Sequence, residues 1–378
     1  MWETFRNHLD VLWGFLVALA VVLVLTPAVG RVARVLGIVD EPLERRRIHL
    51  QAVPRLGGLA LFLGVFVPSL AFLDLSGPYR GILLGAALAT TLGMADDFRG
   101  LPWWVKLAGQ SGAAAIAIDF GVRIDRFTFP VVGIHDLPFW AGVALSFVWI
   151  VAIMNMVNFL DGLDGLAAGI CGISGITFSI IALSLGKPGA AVLSAIIAGG
   201  CLGFLRHNFY PARIFMGDSG ALLLGFLLAT VSIQGLLKTA ATVALFFPLF
   251  ALAVPILDTS FVVLRRIKHH EPLYLPDQAH LHHRFLRRGF GQRRAVLYLY
   301  TWCAVLGGAA LATRFVPFRE AGEWHLWPTV VVALVGATAV GATLYIVMVL
   351  EILKLSRVRA WAERRREAKA EQSKAISA

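Results

Sequence analysis

Long apolar runs, each close to the length that crosses a bilayer, dominate this chain of 378 residues. A transmembrane helix needs about 20 consecutive apolar residues. Eleven runs approach that length, at residues 11–29, 57–75, 80–95, 101–120, 139–159, 165–185, 188–206, 218–236, 239–262, 295–316 and 327–352. Only 15% of the residues are charged, against roughly 25% in soluble domains. The sequence therefore predicts an all-α polytopic membrane protein with about eleven transmembrane helices.

Lys and Arg residues are divided unevenly between the two sides of these spans. One side, which includes the N-terminus, holds eight of them: Arg6, Arg80, Arg123, Arg126, Lys187, Lys238, Arg314 and Arg319. The other side holds the remaining 26 of 34. Cytoplasmic loops carry an excess of Lys and Arg. We therefore expect the N-terminus outside and the C-terminus in the cytoplasm.

The spans and loops indicate one integral membrane domain, residues 1–352, followed by a basic cytoplasmic tail, 353–378. The tail is expected to lie near anionic membrane lipids, and no recognition motif points to nucleic acid. Residues 121–138 alternate partly and contain Gly and Pro, which predicts a small β-hairpin outside the cytoplasm. The cytoplasmic loops are expected at residues 30–56, 96–106, 155–165, 207–218 and 263–294.

The stretch "NMVNFLDGLDGLAAG" places four polar residues at the end of the fifth apolar run. Asn155, Asn158, Asp161 and Asp164 follow one another at a spacing of three. Polar groups near membrane depth are costly and usually functional. Three residues of an α-helix turn by about 300°, so Asn155 and Asp164 would point to opposite sides of a regular helix. The two Asp-Gly pairs instead predict a helix end or tight turn that directs these oxygens into one cavity.

Four further stretches with unusual polar residues lie on the same predicted side. They contribute Asp96 and Asp97 in "MADDFRG", Asp218 in "FMGDSG", the group His280, His282, His283 and Arg284 in "HLHHRF", and Arg47, His49 and Arg55 in "RRRIHLQAVPRLGG". Because all five stretches share one face, we expect them to form one site. The glycines of "RLGG" would allow a ligand to approach the backbone.

Each stretch also has a structural interpretation. Asp96 and Asp97 could be a solvated helix end, although a helix C-terminus disfavours negative charge and calls for a partner such as Arg99. Asp218 could simply be an N-cap. The histidine segment could be a solvated loop, and positive-inside bias explains much of the basic stretch before the second span.

The chemistry of these groups favours phosphoryl transfer at the membrane. Carboxylate and amide oxygens suit Mg²⁺ or Mn²⁺, while His, Arg and Lys suit phosphates. A metal ion neutralises a diphosphate, and basic groups hold the leaving phosphate. The bilayer setting indicates that one substrate is a lipid.

The four motifs "MADDFRG", "NMVNFLDGLDGL", "FMGDSG" and "PDQAHLHHRF", in this order, resemble the polyprenyl-phosphate N-acetylhexosamine-1-phosphate transferase family. The "HLHHR" form is similar to the branch that starts the synthesis of O-antigen, enterobacterial common antigen or teichoic acid. The resemblance implies transfer of N-acetylhexosamine 1-phosphate, with GlcNAc favoured, from a UDP-sugar to undecaprenyl phosphate, with release of UMP. It also implies a bacterial inner-membrane protein with a cytoplasmic site, and a homodimer as an expectation from the family.

The resemblance further implies roles for individual residues. Asp218 corresponds to the principal metal ligand, and Asn158 to a second ligand. Asp96 and Asp97 match the paired catalytic aspartates, which orient or deprotonate the lipid phosphate or help to hold the metal. The substrate-binding set comprises Asp161, Asp164, Asn155, His280, His282, His283, Arg284, Arg47, His49 and Arg55. A phosphate monoester has a second pKa of about 6, so we favour positioning over proton abstraction.

Three alternatives stay open at this point. Within the enzyme class, the donor could be the phospho-MurNAc-pentapeptide nucleotide of peptidoglycan synthesis, although the Pro-His-His-His form of that branch is absent. A transporter would also carry intramembrane carboxylates, but its site is expected near the middle of the bilayer, often between inverted repeats. A scaffold protein would need no cluster of metal-type oxygens.

Overall fold

The computed structural model describes residues 8–40, 52–129, 133–237, 249, 252–269, 285, 289–316, 319–320 and 323–349. Six predicted site residues lie outside these ranges: Arg47, His49, His280, His282, His283 and Arg284. The basic tail 353–378 and most of residues 238–251 also lie outside them.

Eleven α-helices form the described part of the chain. They are α1 (Leu9–Val35), α2 (Gly57–Phe72), α3 (Pro78–Arg99), α4 (Trp103–Asp119), α5 (Phe139–Leu160), α6 (Leu166–Ser184), α7 (Pro188–Asn208), α8 (Gly217–Ser232), α9 (Ala253–His269), α10 (Gln292–Phe315) and α11 (Leu326–Val349). A π-helical turn, Ile233–Leu237, continues α8. The third helix is longer than the predicted 80–95, because Pro78 starts it early and it ends only before Gly100, whose φ is +65°.

Three short antiparallel strand pairs connect the helices. Strands β1 (Val39–Asp40) and β2 (Val53–Pro54) pair before α2, and β5 (Arg319–Glu320) and β6 (Glu323–Trp324) pair before α11. Strands β3 (Arg126–Phe129) and β4 (Gly133–Asp136) pair with Arg126 opposite Asp136. This pair confirms the hairpin predicted within residues 121–138.

The helices confirm an all-α polytopic membrane protein. Eight of them in the described residues are long and apolar enough to cross a bilayer: α1, α3, α5, α6, α7, α8 with its π-turn, α10 and α11. The apolar helix α2 is shorter, at 16 residues, and α4 has 17. The count of eleven spans and the placement of the two termini therefore remain predictions.

Helix α8 lies at the centre of the bundle, where α2, α3, α5 and α7 surround it. Its side chains from Ser219 to Ser232 are all buried. Such a helix, apolar on every face, is expected in a core that is enclosed on all sides. The first turn of α8, which carries Asp218, is therefore held by protein from several directions.

Glycines let neighbouring backbones approach this first turn of α8. A Cβ atom at Gly58 of α2 would overlap residues 219 and 220, and one at Gly93 of α3 would overlap residues 218 and 219. The backbone N–H of Gly58 also donates to the Met216 oxygen at 2.8 Å. The "RLGG" glycines thus accommodate the start of α8, where the sequence had suggested a ligand.

Successive helices run in opposite directions around α8, which collects their ends. Hydrogen bonds join the ends of α3 and α5 to the first turn of α8, and the end of α7 to the residue before α6. The paired aspartates, the Asn-Asp stretch and the start of α8 therefore meet at one end of the bundle.

Candidate active site

The carboxylate of Asp218, in the first turn of α8, lies between two side chains from different helices. Lys106 of α4 donates to Asp218 Oδ2 at 3.0 Å. Asn158 of α5 donates to Asp218 Oδ1 at 3.1 Å. Each oxygen of one carboxylate thus has its own partner, so α4, α5 and α8 converge on this group.

Asp96, in the last turn of α3, shares the same ammonium group. Its Oδ2 atom contacts Lys106 Nζ, and its Oδ1 atom accepts a hydrogen bond of 2.6 Å from the Leu101 backbone. The Asp96 side chain is only 6% exposed, against 29% for Lys106. Lys106, and not the expected Arg99, is therefore the cation that compensates Asp96 at the end of α3.

Asp97 faces the backbone at the start of α8 instead of the ammonium group. Its Oδ1 atom accepts from the Asp218 backbone N–H at 2.9 Å, and its Oδ2 atom accepts from the Ser219 N–H at 3.1 Å and the Ser219 hydroxyl at 2.9 Å. The first N–H groups of a helix lack partners within the helix and favour negative charge nearby. Asp97 therefore caps α8 from another helix.

The Asn-Asp stretch is not a single turn. Helix α5 continues as an α-helix to Leu160, so Asn155 and Asn158 are helical and only residues 161–165 form the turn. Asn155 pairs with Gln110 of α4, at 2.6 Å between Asn155 Nδ2 and Gln110 Oε1, whereas Asn158 faces Asp218. The prediction that all four polar groups point into one cavity is wrong, because Asn155 pairs with Gln110, one turn away from the Asp218 carboxylate.

Asp161, at the end of α5, belongs to the carboxylate group. Burial, together with the nearby charges of Asp218 and Asp97, raises the pKa of Asp161 to about 8, and the Arg55 charge partly offsets this rise. Several carboxylates close together, with few cations among the described residues, favour the binding of an additional positive charge.

Asp164, in the same turn, orders the loop that leads to α8. Its Oδ2 atom accepts a hydrogen bond of 2.8 Å from the backbone N–H of Ala212. The next residue, Gly165, has φ of +79°, donates its N–H to Asn208 Oδ1 at 3.0 Å and accepts from the Tyr300 hydroxyl at 2.5 Å. Helices α7 and α10 therefore brace the turn that contains Asp161.

Of the basic residues expected at the site, the structure describes Arg55. Its guanidinium lies 3.8 Å from Asp40 Oδ1 and its side chain is 41% exposed. Phe285, which directly follows the "HLHHR" segment, is buried and packs edge-on against Phe290, with ring centroids 5.4 Å apart. Phe285 shares a hydrophobic cluster with Leu163 of the 161–165 turn.

The donor atoms fit a hard divalent cation that keeps part of its coordination for substrate. Among the described residues, no three His, Cys, Asp or Glu side chains form an all-protein metal centre. Mg²⁺ commonly takes one or two carboxylates and fills its octahedron with water and phosphate oxygens. The Asp218 carboxylate and the neighbouring Asn158 amide, whose oxygen and nitrogen exchange on a half-turn, supply such a set.

Sequence reasoning missed Lys106, the cation at the centre of the site. A signal for it exists, because Lys106 is the one charged residue between Trp103 and Ile118 of α4. An ionisable side chain inside an apolar span is a functional candidate by default. Gln110, one turn further along α4, carries the same kind of signal.

Comparison with known proteins places this geometry in a family. The family model described as glycosyl transferase family 4 matches residues 79–236, which include Asp96, Asn158 and Asp218. A Bacillus subtilis protein named "probable undecaprenyl-phosphate N-acetylglucosaminyl 1-phosphate transferase" is 40% identical over 76% of this chain and 80% of its own length. A decaprenyl-phosphate N-acetylglucosaminephosphotransferase of Mycobacterium leprae is 34% identical, over 82% of this chain and 85% of its own.

A peptidoglycan enzyme is similar as well. The phospho-N-acetylmuramoyl-pentapeptide-transferase of Desulforudis audaxviator is 32% identical over 70% of this chain and 86% of its own length. The relatives thus share most of their length with this chain, and the family match covers the convergence of α3, α5 and α8. The chain belongs to glycosyl transferase family 4, the polyprenyl-phosphate N-acetylhexosamine-1-phosphate transferases that its motifs resemble.

Proposed function

We propose that this protein transfers N-acetylglucosamine 1-phosphate from UDP-N-acetylglucosamine to undecaprenyl phosphate, and so starts a bacterial cell-surface polysaccharide. The observation that carries the proposal is the convergence of Asp96, Lys106, Asn158 and Asp218 at the ends of membrane helices. The relatives named for this reaction, at 40% and 34% identity, support the choice of sugar and lipid class.

The reaction needs orientation and charge neutralisation more than a strong base. An oxygen of the lipid phosphate attacks the sugar-bearing phosphorus, and the bond from that phosphorus to UMP breaks as UMP takes the electron pair. The attacking monoester is largely ionised near pH 7, because its second pKa is about 6. Lys106 holds phosphate oxygens during this exchange, and Arg55 adds positive charge at the edge of the site.

The acidic cluster and the anionic substrates together require a divalent cation. Asp218 and Asn158 would hold Mg²⁺ (or Mn²⁺), which supplies charge neutralisation for the diphosphate. Asp96 keeps Lys106 in place, and Asp97 holds the first turn of α8 so that Asp218 faces the substrates. Asp161 lies on the nucleotide side, and Asp164 shapes the wall behind it.

The site is proposed to lie at the cytoplasmic face of the inner membrane. The ends of α3 and α5 contact the start of α8, so all three lie at the same end of the bundle. The side with this end carries 26 of the 34 Lys and Arg residues in the predicted arrangement. A nucleotide-sugar donor from the cytoplasm reaches such a site directly, while undecaprenyl phosphate arrives from the bilayer.

One assay tests the reaction and the donor together. The purified protein is incubated with undecaprenyl phosphate, Mg²⁺ and one nucleotide sugar at a time: UDP-N-acetylglucosamine, UDP-N-acetylgalactosamine or UDP-MurNAc-pentapeptide. UMP release with UDP-N-acetylglucosamine alone is expected. If UMP were released only with the pentapeptide donor, the protein would instead catalyse the peptidoglycan reaction for which the Desulforudis relative is named. No UMP with any donor, in detergent and in lipid, would overturn the proposed function.

A further inference from the structure

A pair of amide side chains joins α4 and α5 one helical turn away from the Lys106–Asp218–Asn158 contacts. Gln110 Nε2 donates to Asn155 Oδ1 at 3.3 Å, and Asn155 Nδ2 donates to Gln110 Oε1 at 2.6 Å. Asn155 Nδ2 also donates to the Val151 oxygen at 2.8 Å. Gln110 is only 2% exposed and Asn155 is half-buried, so the pair is a largely buried, reciprocal link between two helices.

We propose that Gln110 and Asn155 form an amide clamp, which fixes the register of α4 against α5 and so holds Lys106 and Asn158 on opposite oxygens of Asp218. Both are positioning residues, since neither is placed against a substrate. Their effect on turnover rests on the proposed function, whereas their effect on the Lys106–Asp218 contact does not.

The spacing along each helix connects the clamp to the site. Gln110 follows Lys106 by four residues, and Asn155 precedes Asn158 by three. Residues at these spacings lie on the same helix face as neighbours. A rotation or slide of α4 that broke the clamp would therefore also move Lys106 away from Asp218, which it now meets at 3.0 Å.

The rest of the α4 surface explains why a polar pair is needed to set the register. Between Ala108 and Ala117 this helix consists mainly of Ala and Gly, apart from Gln110, Ser111 and Ile116. Small residues let membrane helices pack closely, but a smooth surface permits sliding. A buried polar pair that can bond in one arrangement only is a known device for fixing helix register.

The test removes both amides at once. The double variant Gln110→Leu/Asn155→Leu leaves no amide without a partner, and such paired apolar replacements can be nearly neutral for stability. We expect kcat to fall by about 10- to 100-fold, since small displacements of positioned groups have effects of this order. The KM for UDP-N-acetylglucosamine and the thermal midpoint should stay close to wild type.

A matched control removes another hydrogen bond between membrane helices. Trp302 Nε1 of α10 donates to Thr343 Oγ1 of α11 at 3.0 Å. Thr343→Val deletes that bond without changing the shape of the side chain, and it should leave kcat unchanged. The exchanged pair Gln110→Asn/Asn155→Gln, which conserves the combined length of the two amides, should recover part of the lost kcat.

A second measurement reads the geometry without turnover. A carbodiimide couples an amine to a carboxylate that it touches, so Lys106 should become linked to Asp218 or Asp96, and mass spectrometry quantifies the linked peptides. In the Leu/Leu variant the yield of linked peptides should fall at least about five-fold, because the displacement of Lys106 that lowers kcat also separates it from the carboxylate. If the Leu/Leu variant gave the same yield of linked peptides as the wild type, the clamp proposal would be overturned, whatever the kcat of the variant. If the wild-type protein transferred no sugar phosphate at all, the proposed function would fail while the coupling yield still decided the clamp.

Discussion

The Oδ1 atom of Asp97 accepts a hydrogen bond of 2.9 Å from the backbone N–H of Asp218. This contact gives the paired aspartates different surroundings, although they are adjacent in sequence. Asp96 meets an ammonium group, whereas Asp97 meets the start of a helix. A negative charge at the start of α8 satisfies N–H groups that have no partner within the helix. This contact ties the Asp97 carboxylate to the position of Asp218.

Asp97→Asn is expected to weaken the start of α8. The amide has a single acceptor oxygen, and its NH₂ group would face backbone donors. Loss of charged hydrogen bonds at this half-buried position costs about 2 kcal/mol of unfolding free energy. We expect a lower thermal midpoint together with a loss of turnover of at least about 100-fold, an order of magnitude seen when positioned groups shift. Both are measurable on the same detergent-purified sample.

Ser219→Ala provides the matched control for Asp97. It removes the hydroxyl that donates to Asp97 Oδ2 at 2.9 Å but keeps both backbone N–H contacts. Its cost should be about 1 kcal/mol, with turnover within about ten-fold of wild type. An Asp97→Asn protein with a wild-type midpoint and no turnover would instead assign Asp97 to the chemistry.

Lys106→Met is expected to abolish transfer, because it leaves Asp96 and Asp218 without the cation that they share. Breaking a partly buried ion pair from one side is unfavourable, and the phosphates lose their positive partner. We expect turnover to fall by at least about 100-fold, with Lys106→Arg retaining more activity since it keeps the charge.

Lys187→Met, an exposed position before α7 at the other end of the bundle, should behave as wild type. Wild-type turnover in Lys106→Met would remove this residue from the site.

The positions of the membrane helices could be predicted from sequence because bilayer thickness sets the length of an apolar run. The predicted 139–159 and 188–206 differ from α5 and α7 by at most two residues at either end. The meeting of Asp96, Asn158 and Asp218 could also be predicted, since alternating spans return those three segments to one face. The hairpin at β3 and β4 followed from local alternation and turn residues.

The direction of each side chain could not be predicted in the same way. Helix rotation is set by packing between segments far apart in sequence, such as Lys106 and Asp218, which are 112 positions apart. The spacing of three from Asn155 to Asp164 therefore suggested one turn, yet α5 stays helical and its two asparagines face Gln110 and Asp218. A lone Lys in an apolar span is visible in sequence, but its two carboxylate partners are not.

Gly217→Ala should inactivate the protein, whereas Gly37→Ala should not. Both glycines have positive φ, +67° and +72° respectively. A left-handed conformation costs a non-glycine residue about 1–2 kcal/mol, so both variants carry this strain. At Gly217 the new Cβ would also overlap the Arg55 backbone oxygen and the Asp97 carboxylate, while at Gly37 nothing lies within 4 Å.

The comparison isolates crowding at the start of α8 from backbone strain. Thermal midpoints and UMP release are measured for both variants. Gly37→Ala should lose a modest amount of stability and keep its turnover. Gly217→Ala should lose more stability and also its turnover. Equal effects on both proteins would mean that the Asp97 carboxylate is not fixed against residue 217.

Asp218→Asn should remove divalent-cation binding and turnover while the protein stays folded. The amide can still accept from Lys106 and keeps the volume of the side chain, but it lacks the charge that a hard cation requires. Chelation of divalent ions should stop the wild-type reaction, and added Mg²⁺ or Mn²⁺ should restore it.

Mn²⁺ binding, followed by its electron paramagnetic resonance signal, should weaken at least about ten-fold in Asp218→Asn, a loss of about 1.4 kcal/mol. Asp136→Asn on the exposed hairpin, whose side chain is 81% accessible, serves as the charge-matched control and should bind Mn²⁺ as wild type does. Normal Mn²⁺ affinity in Asp218→Asn would place the cation elsewhere in the site.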